Sequence, residues 1–182
     1  MHYFELLDDM TVPGRWHLSS IHTTDGGEPR LRGGIGCSDE SLRTEVSHPG
    51  VELDFCLTSF AVPVARCPLA AAMETVADGD VQRLPIFIPD HEGFEVVNVL
   101  RVIKCLDETR SEFIKWTVND HRSDLAGQYR QVTRLKVRGE VIPSDVHVFR
   151  IEGWLVGLVV SEMVRQAMEK TGCLGAKFVE VT

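Results

Sequence analysis

The sequence predicts an α+β fold, in which a mostly antiparallel, twisted sheet of about six strands is packed by two main helices. Three observations carry this prediction. Residues 94–103 are apolar on both alternating faces, which is typical of a strand in the middle of a covered sheet. Further short apolar runs lie before and after it, separated by turn residues. Two segments, which begin near Pro68 and Ser161, repeat apolar residues at helical spacing instead.

The residue pattern in the first half of the chain predicts four strands and one helix. The strands are short runs bounded by turn residues, at positions 2–7, 15–18, 51–57 and 80–89. In the third of these, Cys56 alternates with the apolar residues, so we expect it on a solvated acidic face. The helix begins at Pro68 and ends at Gly79. Because proline lacks an N–H, Pro85 indicates that the fourth strand lies at an edge or is locally irregular.

The residue pattern in the second half predicts a series of strands and a C-terminal helix. Apolar or alternating runs lie at 94–103, 113–118, 129–138, 145–151, 153–160 and 177–181. The helix follows Ser161, a suitable N-cap, and ends at Gly172. One face of the run 129–138 carries a basic stripe: Arg130, Arg134, Lys136 and Arg138. Basic residues on an edge strand commonly prevent pairing with another chain.

The length and patterning predict a single domain over residues 1–182, because one core can form from 182 residues of which 43% are hydrophobic. Residues 23–47 are rich in Gly, Ser, Thr and charge, so we expect a mobile surface loop. No run of about 18 apolar residues occurs, and residues 1–16 lack the basic and apolar regions of a signal peptide. We therefore expect a cytoplasmic protein that does not engage a membrane.

The negative charge is concentrated in the first half. Residues 1–91 hold 14 acids and 6 bases, whereas residues 92–182 hold 13 of each, so the net charge of −8 belongs to the first half. An acidic surface repels phosphate backbones and disfavours nucleic acid as a partner. A basic protein partner is electrostatically plausible, and simple solubility is the alternative explanation.

The cysteines and histidines do not predict a metal or cofactor site. Five cysteines are widely spaced without a CxxC pair, and seven histidines include no HExxH motif. The glycines at 33–36 lack the flanking strand, helix and GK[ST] residues of a phosphate cradle. We therefore expect no cofactor and no metal, and cysteines that act as small buried apolar residues.

A catalytic or ligand-binding pocket is the alternative hypothesis. It would use four residues that could surround one cleft: Cys105, Asp107, Glu112 and His121. No nucleophile motif frames Cys105, however, and an acidic run between two strands is more typical of a solvated turn. The hypothesis requires these side chains to converge in a structure.

A partner-binding surface is the other hypothesis. Trp116 precedes the polar residues Asp120, His121 and Arg122, and tryptophan and arginine are enriched at binding hot spots. The acidic turn, residues 107–112, adds three candidate contact residues: Asp107, Glu108 and Glu112. Burial of Trp116 in the core is the alternative role for that residue.

Several segments, taken in order, resemble a known bacterial family. They are the residues VPGRW at 12–16, DVQRLPI at 80–86, NVLR at 98–101, CLDETRSE at 105–112, HVFRI at 147–151, VSEMV at 160–164 and GAKFVEV at 175–181. The chain is similar to the immunity proteins of bacterial polymorphic toxin systems, a family long described as a domain of unknown function, with a myxobacterial namesake.

The resemblance implies a non-catalytic protein that binds a cognate toxin domain and holds it inactive. It implies no set of binding residues, so the surface residues named above remain the candidates. The pocket of Cys105, Asp107, Glu112 and His121 is the enzymatic or ligand-binding alternative. A self-associating module, and hence a homo-oligomer, is a third and would need an exposed apolar patch.

Overall fold

The computed structural model of the protein describes residues 1–31, 33–37 and 41–182. Two α-helices, α1 (Cys67–Val76) and α2 (Glu162–Lys170), lie within these residues. Short 3-10 helices span Ser59–Ala61, Ser123–Leu125 and Gly139–Val141. The strands of the described residues are β1 (Tyr3–Asp8), β2 (His17–Leu18), β3 (His22–Thr23), β4 (Leu42–Arg43), β5 (Val46–His48), β6 (Phe55–Leu57), β7 (Pro63–Arg66), β8 (Val81–Phe87), β9 (Phe94–Val99), β10 (Val102–Ile103), β11 (Glu112–Lys115), β12 (Tyr129–Arg134), β13 (Val148–Ile151), β14 (Trp154–Ser161) and β15 (Ala176–Glu180).

The strands form two main sheets. One has six strands in the order β3-β4-β8-β9-β7-β6, and the other has five in the order β10-β13-β14-β1-β15. Neighbouring strands run antiparallel, except in the β4–β8 and β10–β13 pairs. The predicted α+β class, with a mostly antiparallel six-stranded sheet and two helices, is therefore confirmed. The five-stranded sheet is a second layer of structure that the sequence patterns did not separate from the first.

Strand β9 lies inside the six-stranded sheet, between β8 and β7, as its two apolar faces predict. The prediction that this strand continues to residue 103 is wrong, because pairing stops at Val99 and β10 joins the other sheet. The Leu100 N–H still bonds the Asp80 carbonyl beside β8 at 2.7 Å, and the Arg101 side chain binds the Asp80 carboxylate at 3.0 Å. The Arg101 carbonyl, by contrast, accepts from the Arg150 N–H of β13 at 2.8 Å. The segment thus passes from one sheet into the other.

Three clusters of buried side chains fill the protein. The first lies between the helices and both sheets, and it combines Leu6 of β1 with Met73 of α1 and Val164 of α2. The second covers the opposite face of the six-stranded sheet around Trp16. The third covers the opposite face of the five-stranded sheet and contains Cys105. Both sheets are therefore covered on two sides, which explains their nearly continuous apolar strands.

Asp80 joins the two sheets through a fully buried carboxylate. Its oxygens accept a hydrogen bond from the Arg101 side chain. They also accept hydrogen bonds from the backbone N–H groups of His147 at 2.6 Å and Val148 at 3.2 Å. A buried charge is stabilised only when such partners surround it. The contact fixes the start of β13 relative to β8, and with it the position of the turn between β13 and β14.

Several predicted strands are shorter or shifted in the structure: residues 113–118 and 129–138 correspond only to β11 (Glu112–Lys115) and β12 (Tyr129–Arg134). The strand expected over residues 51–57 is reduced to Phe55–Leu57, and Cys56 is 1% exposed rather than on a solvated face. The reason is that β6 separates two clusters: Phe55 lies in the first and Cys56 in the second. Strand β8 is not an edge strand, because it lies between β4 and β9. Strand β4 pairs only with Ile86 and Phe87, however, so Pro85 has no strand partner on that side among the described residues.

The C-terminal helix begins as predicted, because the Ser161 hydroxyl accepts a hydrogen bond from the Val164 N–H. Within residues 23–47, Arg32 and residues 38–40 lie outside the described residues. The described part contains β4 and buries Leu31 and Leu42, while the mobility of the segment stays a prediction. Among the described residues, none of the helices has the length and apolar character needed to span a bilayer.

Candidate functional site

A surface cleft of about 860 Å³ lies where the β11–β12 hairpin meets the turn between β13 and β14. The two elements are joined by a hydrogen bond of 3.0 Å from the Tyr129 N–H to the Gly153 carbonyl. Gly153 has a φ of +80°, which favours glycine at this turn beside the Tyr129 ring. The charged side chains that line the cleft are Lys104, Asp107, Glu108, Lys115, Arg138 and Glu152.

Glu108 is held at the cleft wall by two short hydrogen bonds. Its carboxylate accepts from Lys115 Nζ at 2.6 Å and from the Tyr129 hydroxyl at 2.6 Å. These bonds hold the pKa of the Glu108 carboxyl below its ordinary value. Burial, and then the bond to Glu108, raises the pKa of the Tyr129 hydroxyl. Glu108 is therefore ionised and Tyr129 protonated near neutral pH.

Asp107 organises the acidic turn that forms another part of the cleft. Its carboxylate accepts from the Thr109 hydroxyl at 2.6 Å and from Arg110 Nε at 2.6 Å. Thr109 first, and then Arg110, holds the pKa of the Asp107 carboxyl well below its usual range. Arg110 also donates to the Val137 carbonyl at 2.9 Å, which ties the turn to the chain beyond β12. Asp107 is therefore ionised, and its hydrogen bonds stabilise the turn.

A second group of predicted residues meets at the far end of the hairpin. The Trp116 ring lies edge-to-face with the His121 ring, with centroids 5.3 Å apart, and the Arg130 guanidinium carbon lies 5.0 Å from the Trp116 ring centre. We call these three residues the Trp116 cluster. Asp120 binds Arg130 at 3.4 Å and accepts from the Thr117 N–H at 2.7 Å. Trp116 is half-buried, while His121 and Arg130 are exposed. Trp116 is not part of the three buried clusters, so it is not a core residue, and its role in binding a partner stays a prediction.

The remaining two candidates lie apart from these groups. Arg122 forms a two-pronged ion pair with Asp124, at 2.9 and 2.7 Å. Glu112 lies opposite Arg134 across the hairpin, with 3.7 Å between the charged atoms. Neither residue is among those that line the cleft. Of the seven predicted contact residues, the structure thus brings Trp116, Asp120 and His121 together, and places Asp107 and Glu108 in the cleft.

The structure does not gather the four residues of the alternative pocket around the cleft. Only Asp107 lines it. Cys105 is fully buried in the third cluster, and that burial raises the pKa of its thiol to about 12. Glu112 faces Arg134, and His121 stacks on Trp116. Within the part of the chain that the structure describes, no three His, Cys, Asp or Glu side chains form a group suited to a metal ion.

Sequence reasoning missed most of the cleft. It named neither Tyr129 nor Glu152 as a site residue, and it treated Arg138 only as part of a basic stripe. The cleft depends on contact between a hairpin and a turn that are distant in sequence, which local patterns do not report. The sequence feature that indicates this turn is the Glu152-Gly153 pair between two apolar runs, which is typical of a tight turn beside a sheet.

The fold and the site together define an α+β protein whose second half presents a charged cleft beside an exposed aromatic cluster. The Immunity protein family (Imm11) matches residues 92–182, which is half of the chain. The protein belongs to this immunity protein family, as the resemblance of its segments predicted. No curated protein matches the chain. The matched range contains all seven predicted contact residues and every cleft residue except Gly33.

Proposed function

We propose that this immunity protein binds a cognate bacterial toxin domain and neutralises it without catalysis. The observation that carries the proposal is the family match over residues 92–182, because it covers both the cleft and the Trp116 cluster. Neutralisation here means stoichiometric binding, in the cell that makes the toxin or in its siblings. A stable interface of this kind buries on the order of 800 Å² on each partner.

The Trp116 cluster is the proposed anchor of that interface. Tryptophan and arginine are enriched among the residues that dominate the binding energy of many interfaces. In this cluster a planar guanidinium lies 5.0 Å from the indole centre, and His121 holds the ring from another side. The ring is therefore preorganised at the surface, which lowers the cost of binding.

The acidic turn is proposed to form a second contact region. Asp107 and Glu108 are ionised, and hydrogen bonds within the protein fix both side chains. Arg122 and Glu112 would contact the toxin at the margin of the interface, where exposed ion pairs can exchange partners at little cost. The seven predicted residues then serve as the starting set for mutagenesis.

Support for a non-catalytic mechanism comes from the placement of the reactive side chains. The Cys105 thiol lies in the core, and burial raises its pKa to about 12, so a thiolate nucleophile does not form there near neutral pH. Glu108 is bonded to Lys115 and Tyr129, and Asp107 to Thr109 and Arg110. Neither carboxylate has the raised pKa that general acid catalysis near pH 7 requires.

The proposal is tested by co-expression with the toxin domain encoded beside this protein's gene. We expect the wild-type chain to restore growth and to co-purify with the toxin at a one-to-one ratio. The Trp116→Ala variant should weaken the complex by about 2 kcal/mol or more, or roughly 30-fold in Kd. Phe87→Ala is the matched control, because Phe87 is an aromatic side chain that is 62% exposed on a different sheet.

Two results would count against the proposal in different ways. If the wild-type chain neither rescues growth nor forms a complex, toxin neutralisation is refuted. If it does both and Trp116→Ala binds as tightly as Phe87→Ala, the function stands and the Trp116 cluster is not the anchor.

A further inference from the structure

The segment that contains the hairpin has the opposite net charge from the protein as a whole. Residues 110–138, which contain the hairpin, hold seven basic and three acidic side chains, so this segment carries +4 in a chain of −8. Its acids are also engaged: Asp120 binds Arg130, and Asp124 binds Arg122. A partner that contacts the hairpin therefore meets a segment of net positive charge, while the cleft lining itself holds three basic and three acidic side chains.

Within the cleft, most acids are neutralised by neighbours and two cations are not. Asp107 is paired with Arg110, and Glu108 with Lys115. Among the described residues, Lys104 and Arg138 form no ion pair, and both side chains are exposed. Glu152 is the single lining acid without an ion pair in that same part of the chain. Within the described residues, two cations and one acid of the lining are thus without an ion pair, and Lys104 is close enough to Glu108 to help lower the pKa of that carboxyl.

Apolar side chains accompany these cations. Val102, Leu106 and Leu155 line the cleft, together with the ring of Tyr129. A site of this composition suits a ligand with an aliphatic stem and an anionic end. The volume of about 860 Å³ lies within the range of roughly 300–1,000 Å³ that is typical of ligand clefts, so a short peptide segment can enter.

We propose that the cleft receives an acidic segment of the toxin, with a glutamate or aspartate carboxylate bound between Lys104 and Arg138. The aliphatic part of the segment packs against Leu106 and Leu155. This inference rests on the proposed function and adds the chemistry of the partner. It predicts an acidic toxin surface at this contact, whereas the charge of the first half alone favours a basic one. The short hydrogen bonds of Glu108 keep the cleft walls in place before the toxin arrives.

The test uses charge reversal with a matched control. The double variant Lys104→Glu/Arg138→Glu removes the two cations that lack an ion pair in the described residues. Lys170→Glu/Lys177→Glu makes the same change in net charge on exposed residues that do not line the cleft. A third variant, Leu155→Trp, places a larger side chain in the cleft without changing the charge. Circular dichroism and thermal unfolding of each variant confirm that the fold is kept before binding is measured.

Binding of each variant to the toxin domain encoded beside the gene is measured by calorimetry and by stopped-flow kinetics. We expect Lys104→Glu/Arg138→Glu to raise the Kd by roughly 30-fold or more, mainly through faster dissociation. Leu155→Trp should raise the Kd by roughly tenfold or more, because the larger side chain takes the space of the bound segment and removes its contact with Leu155. The control double variant should differ from wild type by about threefold or less.

Each alternative outcome has a defined meaning. If the wild-type chain binds the toxin and the cleft variants match the control, the cleft inference is overturned while the proposed function stands. An equal loss in both double variants also overturns it, because only overall charge would then matter. If a 20-nucleotide RNA binds the wild-type chain more tightly than the toxin does, and cleft reversal abolishes this binding, the cleft is a nucleic-acid site instead. Failure of the wild-type chain to bind the toxin overturns both proposals.

Discussion

The buried carboxylate of Asp80 gives the sharpest test of how the two sheets are held together. Asp80→Ala removes the acceptor of three hydrogen bonds while leaving the backbone bond from Leu100 in place. The Arg101 side chain is 45% exposed, so its ion pair is screened and contributes little. The two bonds from backbone N–H groups carry most of the effect. A hydrogen bond to a charged group contributes about 1.5–3 kcal/mol.

We therefore expect Asp80→Ala to lower the free energy of unfolding by about 3–6 kcal/mol, from two hydrogen bonds of about 1.5–3 kcal/mol each. For a chain of this size that corresponds to a decrease in Tm of roughly 2–4 °C per kcal/mol. Urea unfolding followed by tryptophan fluorescence is the assay, since Trp16 and Trp154 report on different clusters. Asp78→Ala is the control, because Asp78 is exposed and only two residues away.

Two results would refute this reasoning. If Asp80→Ala and Asp78→Ala have free energies of unfolding within about 0.5 kcal/mol of each other, the contact does not hold the sheets together. Separate transitions for fluorescence and circular dichroism in the wild-type protein would contradict the proposal that residues 1–182 form a single domain. That proposal is supported by the first cluster, which draws side chains from both sheets.

Two further predictions concern individual side chains. Because the pKa of Asp107 is lowered in the folded protein, its contribution to stability is full above its ordinary value of 3.8 and is lost as the pH falls through the lower folded value. Asp107→Ala should therefore be less stable than wild type at pH 7, and urea unfolding should show the difference shrinking well below pH 3.8. An unchanged difference at low pH would contradict this. Burial raises the pKa of the Cys56 and Cys105 thiols to about 12, so a thiol reagent at pH 8 should modify them only after unfolding. Rapid labelling of native Cys105, detected by mass spectrometry, would favour the enzymatic alternative.

The regular elements were predictable because local patterns determine them. The two apolar faces of β9 predicted an internal strand, and Ser161 predicted the start of α2. Where prediction failed, a long-range contact decided the outcome. The chain leaves the first sheet after Val99 because the Arg101 and Ile103 carbonyls bond to the Arg150 and Glu152 N–H groups of the other sheet, and no spacing within residues 94–103 indicates that.

The candidate site was predictable only where its residues are close in sequence. Trp116, Asp120 and His121 lie within one loop, so their proximity followed from the sequence. The cleft required Tyr129 to meet Gly153, which depends on how the hairpin packs against the five-stranded sheet. The sequence showed the basic stripe of residues 129–138, but it did not indicate that Arg138 lines a cleft.

The most direct test of toxin neutralisation is a titration of the purified toxin domain with this protein, followed by the toxin's own activity. If the protein is a stoichiometric inhibitor, activity falls linearly and reaches its minimum at one equivalent, and a one-to-one complex elutes in gel filtration. Full toxin activity at a tenfold excess of the folded protein, with no complex, would contradict the proposed function.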